Sequence, residues 1–262
     1  MRRRRNLWGK PCDPRRQLYR CLTPLLLAAL FGAGLWLGWR QPLPQPAPAA
    51  RIGAETLLLL PRTEQAADVP RVLVYTTHSS EGYAGEQRRA GVAGGVTVAA
   101  QSLCDALNEL GVAAIYCPTL HDTDWNNAYT ASLNSLLEYR QQYPSLEVFI
   151  DVHRDAALAG YTTVLANKSG AYAKMMLVVG TNASLEHPAW RENKAFADSV
   201  AASLERLLPG ILRDVRTQSG RYNQHISTRA LLVEIGSTEN DVAQAQASAR
   251  LLAQAVADSL AD

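Results

Sequence analysis

The sequence predicts an α/β domain, a largely parallel, twisted sheet flanked by helices on both faces, preceded by one transmembrane helix. Three observations carry this. From Arg71 onward, short β-rich runs alternate with helical stretches, the pattern of strand–helix–strand units. One run, "ALLVEIG" (Ala230–Gly236), is apolar on both sides of its axis, as a parallel strand buried on both faces must be. Ahead of the domain, Leu22–Trp39 holds 18 positions without a charge. As a helix it would span roughly 27 Å, close to the hydrocarbon thickness of a bilayer.

The expected strands, in order, are "RVLVYT" (71–76), "VAAIYC" (112–117), "LEVFIDV" (146–152), "AKMMLVVG" (173–180) and "ALLVEIG" (230–236). Helices are expected between them. Ala100, Leu103, Leu107 and Leu110 share one face, and Gly111 stops that helix. Tyr129, Leu133, Leu136 and Leu137 mark a second, with Pro144 just beyond its end. Phe196, Val200, Leu204 and Leu208 mark a third, stopped by Pro209-Gly210; Leu252, Val256 and Leu260 mark the last.

The N-terminal third divides by composition into a basic tail (1–21), the apolar span (22–39) and a Pro/Ala-rich spacer (40–70), leaving 71–262 as the catalytic domain. The tail carries eight Arg or Lys against Asp13. By the positive-inside rule it stays in the cytoplasm and the domain lies outside, held at the cell membrane by a single pass. Trp36 and Trp39 sit at the far end of the span, where interfacial aromatics belong. The alternative, a cleaved signal peptide, suits the segment less well, because the run is long and lacks a small-x-small cleavage site. Taking the tail's charges from the totals of 26 basic and 24 acidic residues leaves 18 and 23, a net of −5. The body therefore offers no excess positive charge to nucleic acid. Cys104 and Cys117 would be exported, where a disulfide is permitted; two small buried apolar residues is the plainer reading.

In an open α/β sheet, sites form beyond the carboxyl ends of the strands. The residues there are "THSSE", "CPTLHD", "DVHRDA" and "VEIGS". They bring His78, Glu81, His121, Asp122, Asp151, His153, Asp155 and Glu234 to one sheet edge. Two histidines and a glutamate form a familiar shell for hydrolytic zinc. His153 has carboxylates at Asp151 and Asp155 able to fix its tautomer; a merely hydrogen-bonded buried imidazole is the alternative. Glu234 ends an apolar strand, and burial there would raise its pKa toward the range of a general base, unless it turns to solvent.

"VYTTHSSEGY" (74–83), "HDTDWNNAYTASLNSLLEYRQQYPSLEVFIDVHRDA" (121–156), "AKMMLVVGTN" (173–182) and the run from Tyr222 to Leu260 resemble the stage II sporulation protein P family. The combination of THSSExY, IDxHRDA and a late LLVEIG is specific. The resemblance implies a membrane-anchored zinc hydrolase that cleaves the amide between N-acetylmuramic acid and L-alanine in peptidoglycan, and also peptide cross-links. It further implies action in engulfment of the forespore, beside a glycan-trimming lytic enzyme and a membrane scaffold. The implied fold is that of zinc amidases, a six-stranded sheet with flanking helices. Carried over by motif, the Zn2+ ligands are His78, Glu81 and His153, and the base is Glu234. In the broader amidases the ligand Glu lies in the helix after the first strand. Here "GVTVAAQSLCDALNEL" has no acid before Asp105, so Glu81 is the first choice and Glu86 the second.

Arg154, His121 and His225 are candidates for oxyanion or substrate contact. Asn223 and Gln224 are candidates for hydrogen bonds to sugar or peptide amides, with turn formation as the alternative, and His187 reads as a surface residue. Three rival functions remain. A serine hydrolase would use Ser79 or Ser80 with His153, although no GxSxG is present. A zinc peptidase acting on cell-wall peptides would share metal and base. A non-catalytic peptidoglycan-binding scaffold would have lost the chemistry.

Overall fold

The structure is a computed structural model and describes residues 69–156 and 163–261. The basic tail, the apolar span 22–39 and all but the end of the spacer lie outside the described residues. Among the described residues, no helix is long and apolar enough to cross a membrane.

In chain order the strands are β1 (Val72–Tyr75), β2 (Ala114–Tyr116), β3 (Val148–Asp155), β4 (Val164–Asn167), β5 (Gly170–Ala173), β6 (Met175–Gly180), β7 (Leu212–Gln218) and β8 (Arg229–Ser237). The helices are α1 (Gly95–Glu109), α2 (Ala128–Gln142), α3 (Trp190–Leu207) and α4 (Val242–Ala261). Six strands form one sheet in the order β2-β1-β3-β8-β6-β7, and β4-β5 form a separate hairpin. The four strands from β2 to β8 are mutually parallel; β6 runs antiparallel to β8 and parallel to β7. The reversal follows from the connection. β3 is joined to β6 through the hairpin, with no crossover helix to carry the chain back to its starting edge. The carboxyl ends of β1, β2, β3 and β8 therefore share one edge, and those of β6 and β7 the other.

One sheet face is covered by three helices. Val72, Val74, Val148, Ile150, Val152, Leu177, Val233 and Ile235 pack there with Leu103 and Leu107 of α1, Phe196, Val200 and Leu204 of α3, and Leu252 and Val256 of α4. On the opposite face Leu73, Tyr75, Phe149 and Ala230 meet Leu136 of α2. Farther along that face, among the described residues, Tyr222 is the partly buried hydrophobic side chain packed on Met176, Val178 and Leu232. Side chains alternate along a strand, so Asp151, His153 and Glu234 emerge on this less covered face. Leu177 is fully buried between β8 and the α3–α4 layer. Leu177→Ala is expected to cost about 2–5 kcal/mol, read as a lower denaturant midpoint at unchanged slope.

Two expectations about helix faces need correction. Leu110 and Leu137 are exposed, at 43% and 49%. In α2 the inward stripe runs instead through Ser132, Leu136 and Tyr139. The stripe is rotated with Ser132 drawn inward, where its hydroxyl donates to Thr77 Oγ1 at 3.0 Å.

Candidate active site

The tip of β1 is tied to β3. Thr77 donates its amide to Asp151 Oδ1 at 2.8 Å and its hydroxyl to Oδ2 at 2.7 Å. The chain then turns, with the Glu81 amide donating to the His78 carbonyl at 3.1 Å. This one turn carries His78 and Glu81 to the same place. It is pinned from outside by the Ser80 amide on Asp122 Oδ2 at 3.1 Å, and by the start of α1, where the Gly94 amide meets the Ser79 carbonyl at 2.9 Å and the Val96 amide meets that of Glu81 at 3.2 Å. The packing leaves no room for a side chain at position 94, since a Cβ there would lie 2.0 Å from the Glu81 carbonyl oxygen. Gly94→Ala must displace Glu81. It is expected to lower activity and thermal stability together, whereas an Ala at exposed Gly111 should leave activity unchanged.

Around the turn stand His153 of β3 and Glu234 of β8, direct register partners. The His78 and His153 rings meet edge to face, centroids 5.5 Å apart. His153 lies between two carboxylates, with Nδ1 3.6 Å from Glu81 Oε2 and Nε2 3.0 Å from Asp151 Oδ1. Burial pushes its pKa down, but the charges and hydrogen bonds of Asp151 and Glu81 outweigh burial and hold it well above the usual imidazole value. Burial, with His153 adding to it, pushes His78 down, so its ring is neutral. Burial would raise Glu81, yet His153 and Arg154 hold its carboxyl below the ordinary range. At Glu234 burial outweighs the charges of His153 and Arg213 and drives the carboxyl up to about 7. His78 Nδ1 and Glu234 Oε2 are buried without a hydrogen-bond partner among the described residues.

Three aromatic residues that the sequence did not offer as site candidates shape the site. Trp125 stacks on His78 at 3.6 Å and 18°, with the Arg88 guanidinium 4.1 Å over its ring. Tyr129 meets His78 edge-on at 5.6 Å, and Tyr222 stands 5.8 Å from Tyr129. The signal available was "WNNAY", which puts two aromatics directly after the polar loop beyond β2. Nothing local in "GRYNQ" announces that Tyr222 reaches Glu234.

The remaining candidates separate. Arg154 is a clamp on the Glu81 turn: its amide donates to Glu81 Oε2 at 3.1 Å and its Nε to the Gly82 carbonyl at 3.0 Å. Asp155 accepts from Arg213 at 2.7 Å. Glu86 stands apart from the cluster and accepts from the Tyr83 and Gly95 amides at 3.1 and 2.8 Å, capping α1. His121 is not free for oxyanion or substrate contact, because its Nδ1 bonds the Thr76 carbonyl at 2.8 Å and its Nε2 bonds Ser135 Oγ at 3.0 Å. Asn223 is likewise committed, its amide donating to the Tyr129 carbonyl at 2.7 Å and Ser132 Oγ at 3.0 Å. Gln224 bridges the Gly180 amide and Val178 carbonyl. His225 lies at the other sheet edge, before β8 begins, with His187, Arg221 and Arg140 as its charged surroundings. His187 is fully buried rather than superficial; Asn193 donates to its Nε2 at 3.3 Å. Ser79 Oγ donates to the Thr76 carbonyl, and Ser80 Oγ bonds Asp122 Oδ2, so neither serine is poised as a nucleophile toward His153. Cys104 and Cys117 are buried free thiols.

The CwlD amidase from Clostridioides difficile, solved in complex with the GerS lipoprotein, matches with a TM-score of 0.50 and 11% identity, over 73% of this chain and 98% of that one. An N-acetylmuramoyl-L-alanine amidase from Clostridium difficile 630 aligns at 15% identity and TM-score 0.49, over 74% and 99% of the two chains. At such identity the CwlD likeness establishes a shared mixed α/β architecture with helices flanking a mostly parallel sheet. Among curated sequences, the stage II sporulation protein P of Bacillus subtilis (strain 168) is 28% identical over 217 residues, which is 74% of this chain and 52% of that protein. The chain thus spans about half the length of that relative. The family model for stage II sporulation protein P matches residues 45–257. With that match running through the sheet, the Glu81 turn and the last strand alike, the chain belongs to the stage II sporulation protein P family.

Proposed function

We propose that this domain is a cell-wall hydrolase of sporulation that cleaves the amide between N-acetylmuramic acid and L-alanine in peptidoglycan, with one zinc ion held by His78, Glu81 and His153. The observation that carries the reading is the pairing of His153 with Glu234 across β3 and β8, the second a carboxyl raised to about 7 by burial and left without a partner on one oxygen. A carboxyl oxygen buried without a partner is costly and persists where chemistry uses it. Membership in the family and an architecture shared with an amidase favour this substrate over others.

The residues suit the ion. His78 is held toward the neutral form that a ligand imidazole needs, while His153, held protonated by Asp151 and Glu81, would give up its proton on binding the ion. Two donors about 2.0 Å from a tetrahedral zinc lie about 3.3 Å from each other, close to the 3.6 Å between His153 Nδ1 and Glu81 Oε2. Asp151, beside the other His153 nitrogen, is placed as the outer carboxylate that orients such a ligand. Among the described residues no three His, Cys, Asp or Glu side chains stand in a finished metal-binding arrangement, so closing on the ion requires these side chains to turn toward it. When bound, zinc would polarise the scissile carbonyl and acidify a water. Glu234 takes the proton from the attacking water and passes it to the leaving alanine nitrogen. Arg154 keeps Glu81 in place, and Trp125 and Tyr129 shield His78 from solvent.

Residues 1–39 would anchor the domain on the outer side of the cell membrane, near a glycan-trimming lytic enzyme and a membrane scaffold. The test is mass spectrometry of purified sacculi digested by the full chain. Released peptides that begin with a free L-alanine amine support the amidase reading; cuts confined to peptide cross-links would replace it with a peptidase.

A further inference from the structure

Tyr222 and Asn223 both adopt left-handed backbone conformations, with φ of 49° and 54°, and are the only non-glycine residues to do so among the described residues. Asn tolerates this region; an aromatic residue does so at a cost in free energy. Backbone strain of this kind persists when its surroundings enforce it, and it concentrates at functional sites. Here the enforcement is visible. Asn223 is tied to the first turn of α2, and Gln224 is tied to the end of β6 through the Gly180 amide and the Val178 carbonyl. The ring lies over Gly220, where a Cβ would stand 2.7 Å from its Cζ.

The strained turn places the ring beside the base. Tyr222 packs on the cluster of Met176, Val178 and Leu232, and its hydroxyl lies close enough to feel the charge of Glu234. Met176 is the register partner of Glu234, and Leu232 precedes Glu234 by two residues on the same face. Tyr222 therefore borders Glu234 on the sheet face that α2 leaves uncovered. With Trp125, His78 and Tyr129 it completes a row of four rings along one side of the site. The ring is only partly buried, and its hydroxyl makes no hydrogen bond among the described residues. A rigid aromatic face with a negative π cloud suits the C–H face of a pyranose, whose hydrogens carry partial positive charge. A peptide side chain would call for a pocket rather than a wall.

We propose that Tyr222 is a substrate-binding residue whose ring, held by the strained 222–223 turn, receives the sugar ring adjoining the scissile amide. This rests on the amidase reading and assigns the glycan side of its site. Three variants of the full chain test it: Tyr222→Phe, Tyr222→Gly and Glu234→Gln. Tyr222→Gly deletes the ring and places at φ 49° a residue that adopts it freely, so it is expected to fold with unchanged zinc content, at a thermal midpoint lowered by the exposure of Met176, Val178 and Leu232. Its KM for soluble disaccharide–tetrapeptide should rise roughly tenfold, the effect of one aromatic contact, with kcat little changed. Tyr222→Phe, which keeps the ring, should match wild type. In the Glu234→Gln background, calorimetry should show the same loss of affinity for the disaccharide–peptide on Tyr222→Gly, and no loss for the sugar-free peptide. Unchanged KM and affinity in Tyr222→Gly overturn the proposal. So does a fall in kcat in Tyr222→Phe, which would make the hydroxyl the working group, or an equal loss for the bare peptide. A fully active Glu234→Gln would instead remove the catalytic reading, with the calorimetry still reporting on Tyr222.

Discussion

Glu234→Gln is expected to reduce sacculus hydrolysis by about 10²–10⁴-fold, the usual contribution of a positioned general base, while leaving metal content and substrate affinity intact. The same substitution should make the metal-stripped protein more stable above neutral pH. The sign follows from the titration. Glu234 carries a folded-state pKa of about 7 against an ordinary 4.5, so the folded state holds its proton more tightly than the unfolded state does. Stability is therefore undiminished below pH 4.5 and declines as pH rises through 7, where the buried carboxyl is forced to ionise. The full shift corresponds to about 3 kcal/mol, and partial exposure of the side chain reduces this to about 1–3 kcal/mol. Glutamine never ionises, so its stability curve should be flat where that of wild type falls. Thermal denaturation of both proteins at pH 5 and pH 8 measures this. A variant that is dead in catalysis yet more stable at alkaline pH carries the signature of a functional group kept at the expense of stability. Equal activity in the variant would reject Glu234 as the base.

His153→Ala is expected to abolish both metal retention and hydrolysis. His153 is the one side chain that touches Glu81, faces Asp151 and pairs with Glu234. Its removal takes away a donor and leaves two buried carboxylates, at Glu81 and Asp151, facing an empty space. Asp151→Asn is a milder version of the same experiment. It keeps the shape but removes the charge beside His153 Nε2, and should cost about 10–100-fold in metal affinity. The pair separates two roles for His153. Wild-type zinc content in His153→Ala would mean that the imidazole serves packing alone.

Much of this was legible in the sequence, for a physical reason. Strands buried on both faces must be continuously apolar, so β1, β3, β6 and β8 stand out as runs, and a polar residue at the end of such a run has few innocent explanations. That is how His78, His153 and Glu234 could be brought to one edge. β7 was not visible, because "LRDVRTQ" is an edge strand in which Asp214, Arg216, Thr217 and Gln218 face solvent. The hairpin β4–β5 is short and mostly exposed, so no buried periodicity marks it. The direction of β6 depends on what joins it to β3, which no residue within β6 encodes.

The site shows the same division. Glu81 and Glu86 are equivalent as letters. Only the fold shows that Glu86 caps α1 while Glu81 reaches His153. His121 shares the polar look of the other strand-end residues, yet contacts to Thr76 and Ser135, 45 and 14 positions away in the chain, occupy both its nitrogens. The aromatic row depends on contacts between residues nearly a hundred positions apart, and such proximity leaves no trace in local spacing.

The central claim is that the turn after β1 and the tips of β3 and β8 gather around a single divalent cation that drives hydrolysis. The most direct measurement is the metal content of the purified full chain by elemental mass spectrometry, paired with its rate on sacculi before chelation, after chelation and after zinc is restored. About one zinc per chain, with a rate that disappears and returns in step with it, is the predicted result. A protein that hydrolyses sacculi equally well when stripped of metal would contradict it.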